Sequence, residues 1–103
     1  MSTLSTHVLD TESGEPAVGL EVHLSVDGEH GWSELHRLST DSDGRASLGD
    51  LKGGTYRLGF ETGAYGNRFY PYVHVVFTLD PERDHYHVPL LLSPYGYTTY
   101  RGS

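Results

Sequence analysis

The chain has 103 residues and a formal net charge of −7, from 7 Lys and Arg against 14 Asp and Glu. That length suits one domain, residues 1–103, with a single modest core, and an acidic balance without any basic run argues against a nucleic-acid partner. There is no cysteine, which removes disulfides, thiol nucleophiles and thiolate metal sites.

No apolar run approaches the ~20 residues that a bilayer span needs, so no membrane partner is expected. The start of the chain lacks a charged region followed by an apolar segment, so no signal peptide is expected. The expectation is a soluble, cytoplasmic protein.

Leu4 to Leu9 reads as a short first strand with His7 in its middle, and Thr11 to Pro16 as a turn cluster. Leu20, Val22, Leu24 and Val26 alternate with Glu21, His23, Ser25 and Asp27, a period of two that predicts a strand with one wet face. Asp27-Gly28-Glu29 turns the chain into a third strand of weaker pattern, Trp32 to Leu38. Asp41-Ser42-Asp43-Gly44 is a turn, followed by a short strand, Arg45 to Leu48. After Gly53-Gly54, Tyr56, Leu58 and Phe60 alternate with Arg57, Gly59 and Glu61 in a fifth strand. Thr62 to Asn67 is irregular; Tyr72 to Leu79, apolar and β-branched, is a buried sixth strand. Asp80 to Asp84 is a polar connection. Val88 to Leu92 is too short for a helix and reads as a seventh strand. Ser93-Pro94-Tyr95-Gly96 turns it into the eighth, Tyr97 to Tyr100. Eight short strands at regular spacing and no long helical stripe predict an all-β, antiparallel β-sandwich in two sheets.

Four places hold residues able to do chemistry. His7 lies on the face of its strand opposite to Thr6 and Val8. A lone strand histidine is ordinarily a surface or hydrogen-bonded residue, so pattern alone leaves its role open. His85 and His87 are two apart and share a strand face, a spacing that permits a shared metal if other side chains complete the set. Arg45 follows a turn whose Asp and Gly spacing is explained by hairpin geometry alone. A calcium loop would need an acidic residue where Lys52 stands, at the twelfth position counted from Asp41. Tyr100, Arg101, Gly102 and Ser103 put an aromatic, a cation and a hydroxyl where terminal residues ordinarily fray.

The run YHVPLLLSPYGYTTYRGS, Tyr86 to Ser103, closely resembles the C-terminus of 5-hydroxyisourate hydrolases, the transthyretin-related enzymes of purine breakdown. LSTHVLD, Leu4 to Asp10, matches that family's opening, and DSDGR, Asp41 to Arg45, its middle motif. The terminal motif is specific; DSDGR alone is not. The Tyr-Arg-Gly-Ser ending is the part that separates these enzymes from the hormone carrier transthyretin.

The resemblance implies a transthyretin-like sandwich of two four-stranded sheets. It also implies a cofactor-independent hydrolase that opens the six-membered ring of 5-hydroxyisourate at an amide bond, within urate degradation. It assigns catalysis to His7, His87, Arg45 and Ser103, and substrate binding to Arg45, Tyr100, Arg101, Gly102 and Ser103. No metal or cofactor is expected. The implied partners are a small purine-derived substrate and three further copies of the chain, a homotetramer arranged as a dimer of dimers with sites between the dimers. The other reading is a non-catalytic transthyretin-like carrier of a small aromatic ligand; the matched histidines and the Tyr-Arg-Gly-Ser ending weigh against it. One departure stands out: the loop Thr62 to Tyr70 is several residues too short for the family's usual helix and holds Gly63, Gly66 and Asn67, so that helix is expected to be trimmed or absent.

Overall fold

The computed structural model describes residues 1–103. Ten strands and one helical turn follow in chain order: β1 Ser2–Asp10, β2 Glu15–Pro16, β3 Glu21–Gly28, β4 Gly31–Ser39, β5 Arg45–Leu51, β6 Gly54–Phe60, α1 Thr62–Tyr65, β7 Val73–Leu79, β8 His85–His87, β9 Leu90–Ser93 and β10 Gly96–Thr99. The all-β sandwich expected from the alternating pattern is present, and α1 is the trimmed remnant expected of the short loop.

The count exceeds eight for two local reasons. The Thr11 to Pro16 turn closes on a two-residue strand, β2, paired to the end of β1. The seventh strand begins at Leu90 rather than Val88, and a separate short strand, β8, forms before Val88-Pro89, because a proline has no N–H to give to a ladder. The six segments of the first sheet therefore lie in four lanes: β5 and β2 on one side of β1, β8 and β9 on its other side, and β10 beyond β9. The second sheet has the order β4-β3-β6-β7, with every neighbour antiparallel.

The expectation of a purely antiparallel sandwich needs one correction. β1 runs parallel to β8 and β9, in the registers Ser5 opposite His87 and Leu9 opposite Leu91. Parallel neighbours need a long crossover connection. Here most of the chain intervenes, and periodicity within a strand carries no record of so distant a partner.

Between the sheets lie 17 buried apolar side chains in one cluster, among them Leu4, Val8, Val22, Leu24, Leu58, Phe60 and Leu90. Truncating any of the fully buried leucines to alanine is expected to cost about 2–5 kcal/mol. On β1, alternation sends Leu4, Thr6 and Val8 inward and leaves Thr3, Ser5 and His7 on the outer face. Ser2 and Thr6 are the polar members of the inward row, and the Thr6 hydroxyl donates to the Val88 carbonyl at 2.6 Å. That bond locks β1 to the segment carrying His87. No helix is long and apolar enough to cross a membrane.

The α1 turn and its loop dock at the far end of β1. Tyr65 donates to the Asp10 carboxylate at 2.9 Å, and the Asn67 side-chain amide donates to the Ser93 carbonyl at 2.9 Å. His87 lies toward the opposite end, opposite Ser5.

Candidate active site

Three neighbouring lanes bring the site residues onto one outer face. β5 pairs with β1 so that Arg45 stands opposite His7 and Ser47 opposite Ser5. β8 pairs with β1 from the other side so that His85 stands opposite Thr3 and His87 opposite Ser5. Directly opposed residues of a ladder project to the same face. One row of hydroxyls and a histidine thus runs between Arg45 on one side and two histidines on the other.

Arg45 is placed by its turn. The Asp41 carboxylate accepts the backbone N–H groups of Asp43 and Arg45, each at 2.9 Å, and these two bonds, first that to Arg45, hold its pKa below the usual carboxylate value. Gly44 sits at φ 76° beneath this turn, and a Cβ there would lie 2.5 Å from the Val8 carbonyl oxygen. Only glycine permits both the left-handed backbone and the close approach to β1. The turn that looks sufficient as hairpin geometry is therefore also what aims Arg45: its guanidinium forms no ion pair within the chain and stays available on an exposed side chain.

His87 is half-buried and held on two sides. Its Nδ1 lies 2.8 Å from the Ser5 hydroxyl. Its other edge meets the chain end, where Gly102 donates its N–H to the His87 carbonyl at 2.7 Å and a Cβ on Gly102 would lie 2.9 Å from His87 Cδ2. Any larger residue at 102 would push the ring. Burial is the main cause that lowers the His87 pKa, and the neighbouring His7, Arg45 and His85 charges add to it. The ring is thus neutral at neutral pH, with a nitrogen free to accept a proton.

Arg45 lies between two shallow hollows. One, of about 390 Å³, is lined by Ser5, Arg45, Ser47 and His87; the other, of about 460 Å³, by His7, Leu9, Pro16, Asp43 and Arg45. His7, Arg45, His87 and the backbone of Gly102 are therefore brought together. Tyr100 and Arg101 instead line a larger groove of about 510 Å³ at the open edge of the sandwich, with Val75, Phe77, Arg83 and Tyr86. Ser103 is exposed beyond Gly102. His85 is exposed too, and no carboxylate, cysteine or further histidine joins it and His87 as a metal-binding group of three. Sequence reasoning passes over Thr3 and Ser5. The signal is present in the chain, because both stand at even spacing from His7 and must share its face.

A family model described as the HIUase/Transthyretin family matches residues 4–102. The chain belongs to that family. Among HIUase/Transthyretin relatives, a mouse protein named 5-hydroxyisourate hydrolase is 50% identical over 113 residues, covering 99% of this chain and 96% of the mouse protein. The structure of Klebsiella pneumoniae 5-hydroxyisourate hydrolase superposes with a TM-score of 0.86 at 40% identity, covering 100% of this chain and 94% of that one. The crystal structure of transthyretin from Sparus aurata superposes equally well, with a TM-score of 0.88 at 32% identity over 96% of this chain and 95% of that one. The backbone is common to both branches of the family, so fold similarity does not choose between enzyme and carrier. That choice falls to the side chains on the outer face.

Proposed function

We infer that this protein is a 5-hydroxyisourate hydrolase, which opens the six-membered ring of its purine-derived substrate at an amide bond as part of urate degradation. The observation that carries the reading is the three-lane face itself. A neutral histidine, His87, and an unpaired cation, Arg45, flank the strand that bears His7, in a chain half identical to an enzyme of that name.

The roles follow from chemistry. Amide hydrolysis needs a base to take a proton from water and donors to stabilise the oxyanion that develops on the attacked carbonyl. His87 serves as the base, because its surroundings keep the ring unprotonated at neutral pH. Arg45 offers a planar donor fork to the ring carbonyl oxygens and to the developing charge. His7, opposite Arg45 in the ladder, positions the water or returns the proton to the leaving nitrogen. Ser103 closes over the ring beside Gly102, which packs against His87, while Tyr100 and Arg101, which in one chain line the groove at the sandwich edge, bind substrate in the assembled tetramer. No step calls for a cofactor.

The homotetramer belongs to the same proposal. The two hollows beside Arg45 are shallow, and a second copy of the same face supplies the wall that would shut out water. The outermost strands of the two sheets, β7 and β10, carry exposed Val76 and Tyr97 and border the groove that holds Tyr100 and Arg101, which suits them to pair with a second chain. A cytoplasmic location completes the reading.

The test is decay of freshly generated 5-hydroxyisourate, followed by absorbance in a urate oxidase-coupled assay. The protein accelerates decay, and His7→Ala, His87→Ala and Arg45→Ala each remove most of the acceleration while the circular dichroism spectrum is kept. Decay at the spontaneous rate in the presence of folded wild-type protein would refute the proposal. A folded monomeric variant is expected to be inactive, and full turnover by such a monomer would remove the tetramer from the account.

A further inference from the structure

A chain of four side chains leads away from His87 along the outer face. The Ser5 hydroxyl lies 2.8 Å from His87 Nδ1 and 3.2 Å from His85 Nε2. His85 Nδ1 in turn lies 2.5 Å from the Thr3 hydroxyl, which also reaches the Asp84 carbonyl at 3.4 Å. The ladder explains why they meet: Thr3 opposes His85 and Ser5 opposes His87, so two hydroxyls interleave with two imidazoles. His87 is half-buried while His85 and Thr3 are exposed, so the chain runs from the site to solvent.

Its direction is constrained. Asp84 can only accept through its carbonyl, so the Thr3 hydroxyl donates there and accepts from His85 Nδ1–H. A neutral His85 then has a bare Nε2, which accepts the Ser5 O–H. The Ser5 oxygen is left to accept from His87 Nδ1–H. In this polarity His87 Nε2 carries no proton and is the nitrogen free to act as base.

We propose that Ser5 and His85 are a positioning and proton-relay pair for His87, with Ser5 fixing the Nδ1–H tautomer and His85 passing the proton to solvent. The inference rests on the proposed hydrolase reading. Hydrolysis turns a ring amide into a ureido nitrogen, which stays neutral, and a carboxylic acid, which ionises at neutral pH. One proton must leave the site in each turnover. When His87 Nε2 takes a proton from water, the Nδ1 proton moves to Ser5 Oγ and the Ser5 proton moves to His85 Nε2. The His85 Nδ1 proton is then released past Thr3 to water. Each of the three side chains, His87, Ser5 and His85, takes one proton and gives one, the net proton reaches solvent, and exchange with water returns both rings to their starting tautomers before the next turnover. The groups facing this chain are His7 on β1, Arg45 on β5 and Asp50, which opposes Thr3 from β5.

Three variants separate the pair's roles from simple packing: Ser5→Ala, Ser5→Thr and His85→Gln. Nitrogen-15 NMR of the ring, recorded without substrate, is expected to show His87 as the Nδ1–H tautomer in wild type and Ser5→Thr, and displaced toward Nε2–H in Ser5→Ala. In the coupled assay Ser5→Ala loses on the order of 10-fold to 100-fold in kcat, below the full range for acid–base catalysis, with KM little changed. Ser5→Thr, which keeps the hydroxyl, retains activity. His85→Gln keeps hydrogen-bonding groups but cannot titrate; it turns over slowly in weak buffer, and added imidazole restores it. An unchanged tautomer and kcat in Ser5→Ala would overturn the positioning role. Failure of imidazole to restore His85→Gln, or no loss in that variant, would overturn the relay. Wild-type protein without hydrolase activity would sink the functional reading instead, while the tautomer spectra would still decide whether Ser5 sets His87.

Discussion

Each sheet presents histidines on its outer face, in opposite electrostatic settings. On the first sheet, burial is the main cause that keeps His87 neutral, and His7, Arg45 and His85, all cationic or able to become so, face it and add to that effect. On the second, His23 is surrounded by carboxylates: Glu21 at 3.2 Å, Glu61 at 3.6 Å and Glu34 at 3.7 Å. Arg37 bonds two of the three, Glu34 and Glu21, at 2.8 and 2.5 Å. On the second face the cation Arg37 is paired, and the carboxylates are in excess, while the first has a cation, Arg45, left without a partner. A charged group held unpaired beside a neutral base is arranged for something that arrives from outside. A paired cluster on an exposed sheet is a solvated surface.

The strongest way to break this comparison is to substitute one residue on each face. His87→Ala or Arg45→Ala is expected to lower kcat/KM by about 10²–10⁴, the range for losing an acid–base or oxyanion group. His23→Ala is expected to leave turnover unchanged. Equal losses from both faces would mean that the contrast carries no functional meaning.

Next in size is Gly102→Ala. Its Cβ would meet His87 Cδ2 at 2.9 Å, so the ring has to shift while the sandwich stays intact. Displacement of a catalytic group by about 1 Å can cost on the order of 10²-fold. A loss of at least about tenfold in kcat is expected, with the thermal midpoint nearly unchanged. Wild-type kinetics in this variant would show that the chain end does not set the ring.

A pH profile sharpens the comparison further. The His87 pKa lies below its ordinary 6.5, so the unprotonated base persists at pH values where a free histidine is already charged. The rate is expected to stay level as pH falls through 6.5 and to decline only below it. The same shift bears on stability. A folded-state pKa below the unfolded one means that the unfolded chain binds protons more readily, so stability present above about pH 6.5 is lost as pH falls toward the folded value. His74, also lowered mainly by burial and then by Arg57, adds in the same direction. Chemical denaturation at pH 7.5 and pH 5.5 checks the sign. The smallest effect is expected from Arg37→Ala, which leaves turnover unchanged and whose influence on the thermal midpoint fades in high salt.

Much of this architecture is legible in the order of the residues alone. Alternation places Leu20 to Val26 and Tyr56 to Phe60, and period two puts His7 opposite to Thr6 and Val8. The short loop announces the trimming of the helix to the single turn Thr62–Tyr65. Pairing between distant segments is not legible in that way. Nothing local to Ser5 says that His87 will stand beside it, because the contact depends on a parallel register set by most of the intervening chain. Even spacing from His7 gives the face of Thr3 and Ser5, but their importance comes only from the histidines they meet. The same blindness leaves Tyr100 and Arg101 grouped with His87, although alternation and the groove at the sandwich edge lead them elsewhere in a single chain.

The most direct test is a matched pair, His87→Gln and His23→Gln, in the urate oxidase-coupled assay beside wild type. Glutamine keeps a hydrogen-bonding side chain of similar reach and removes only the titrating ring. Rapid decay of 5-hydroxyisourate is expected with wild type and His23→Gln, and decay near the spontaneous rate with His87→Gln. Retained activity in a folded His87→Gln protein would contradict the assignment of the neutral histidine as the base.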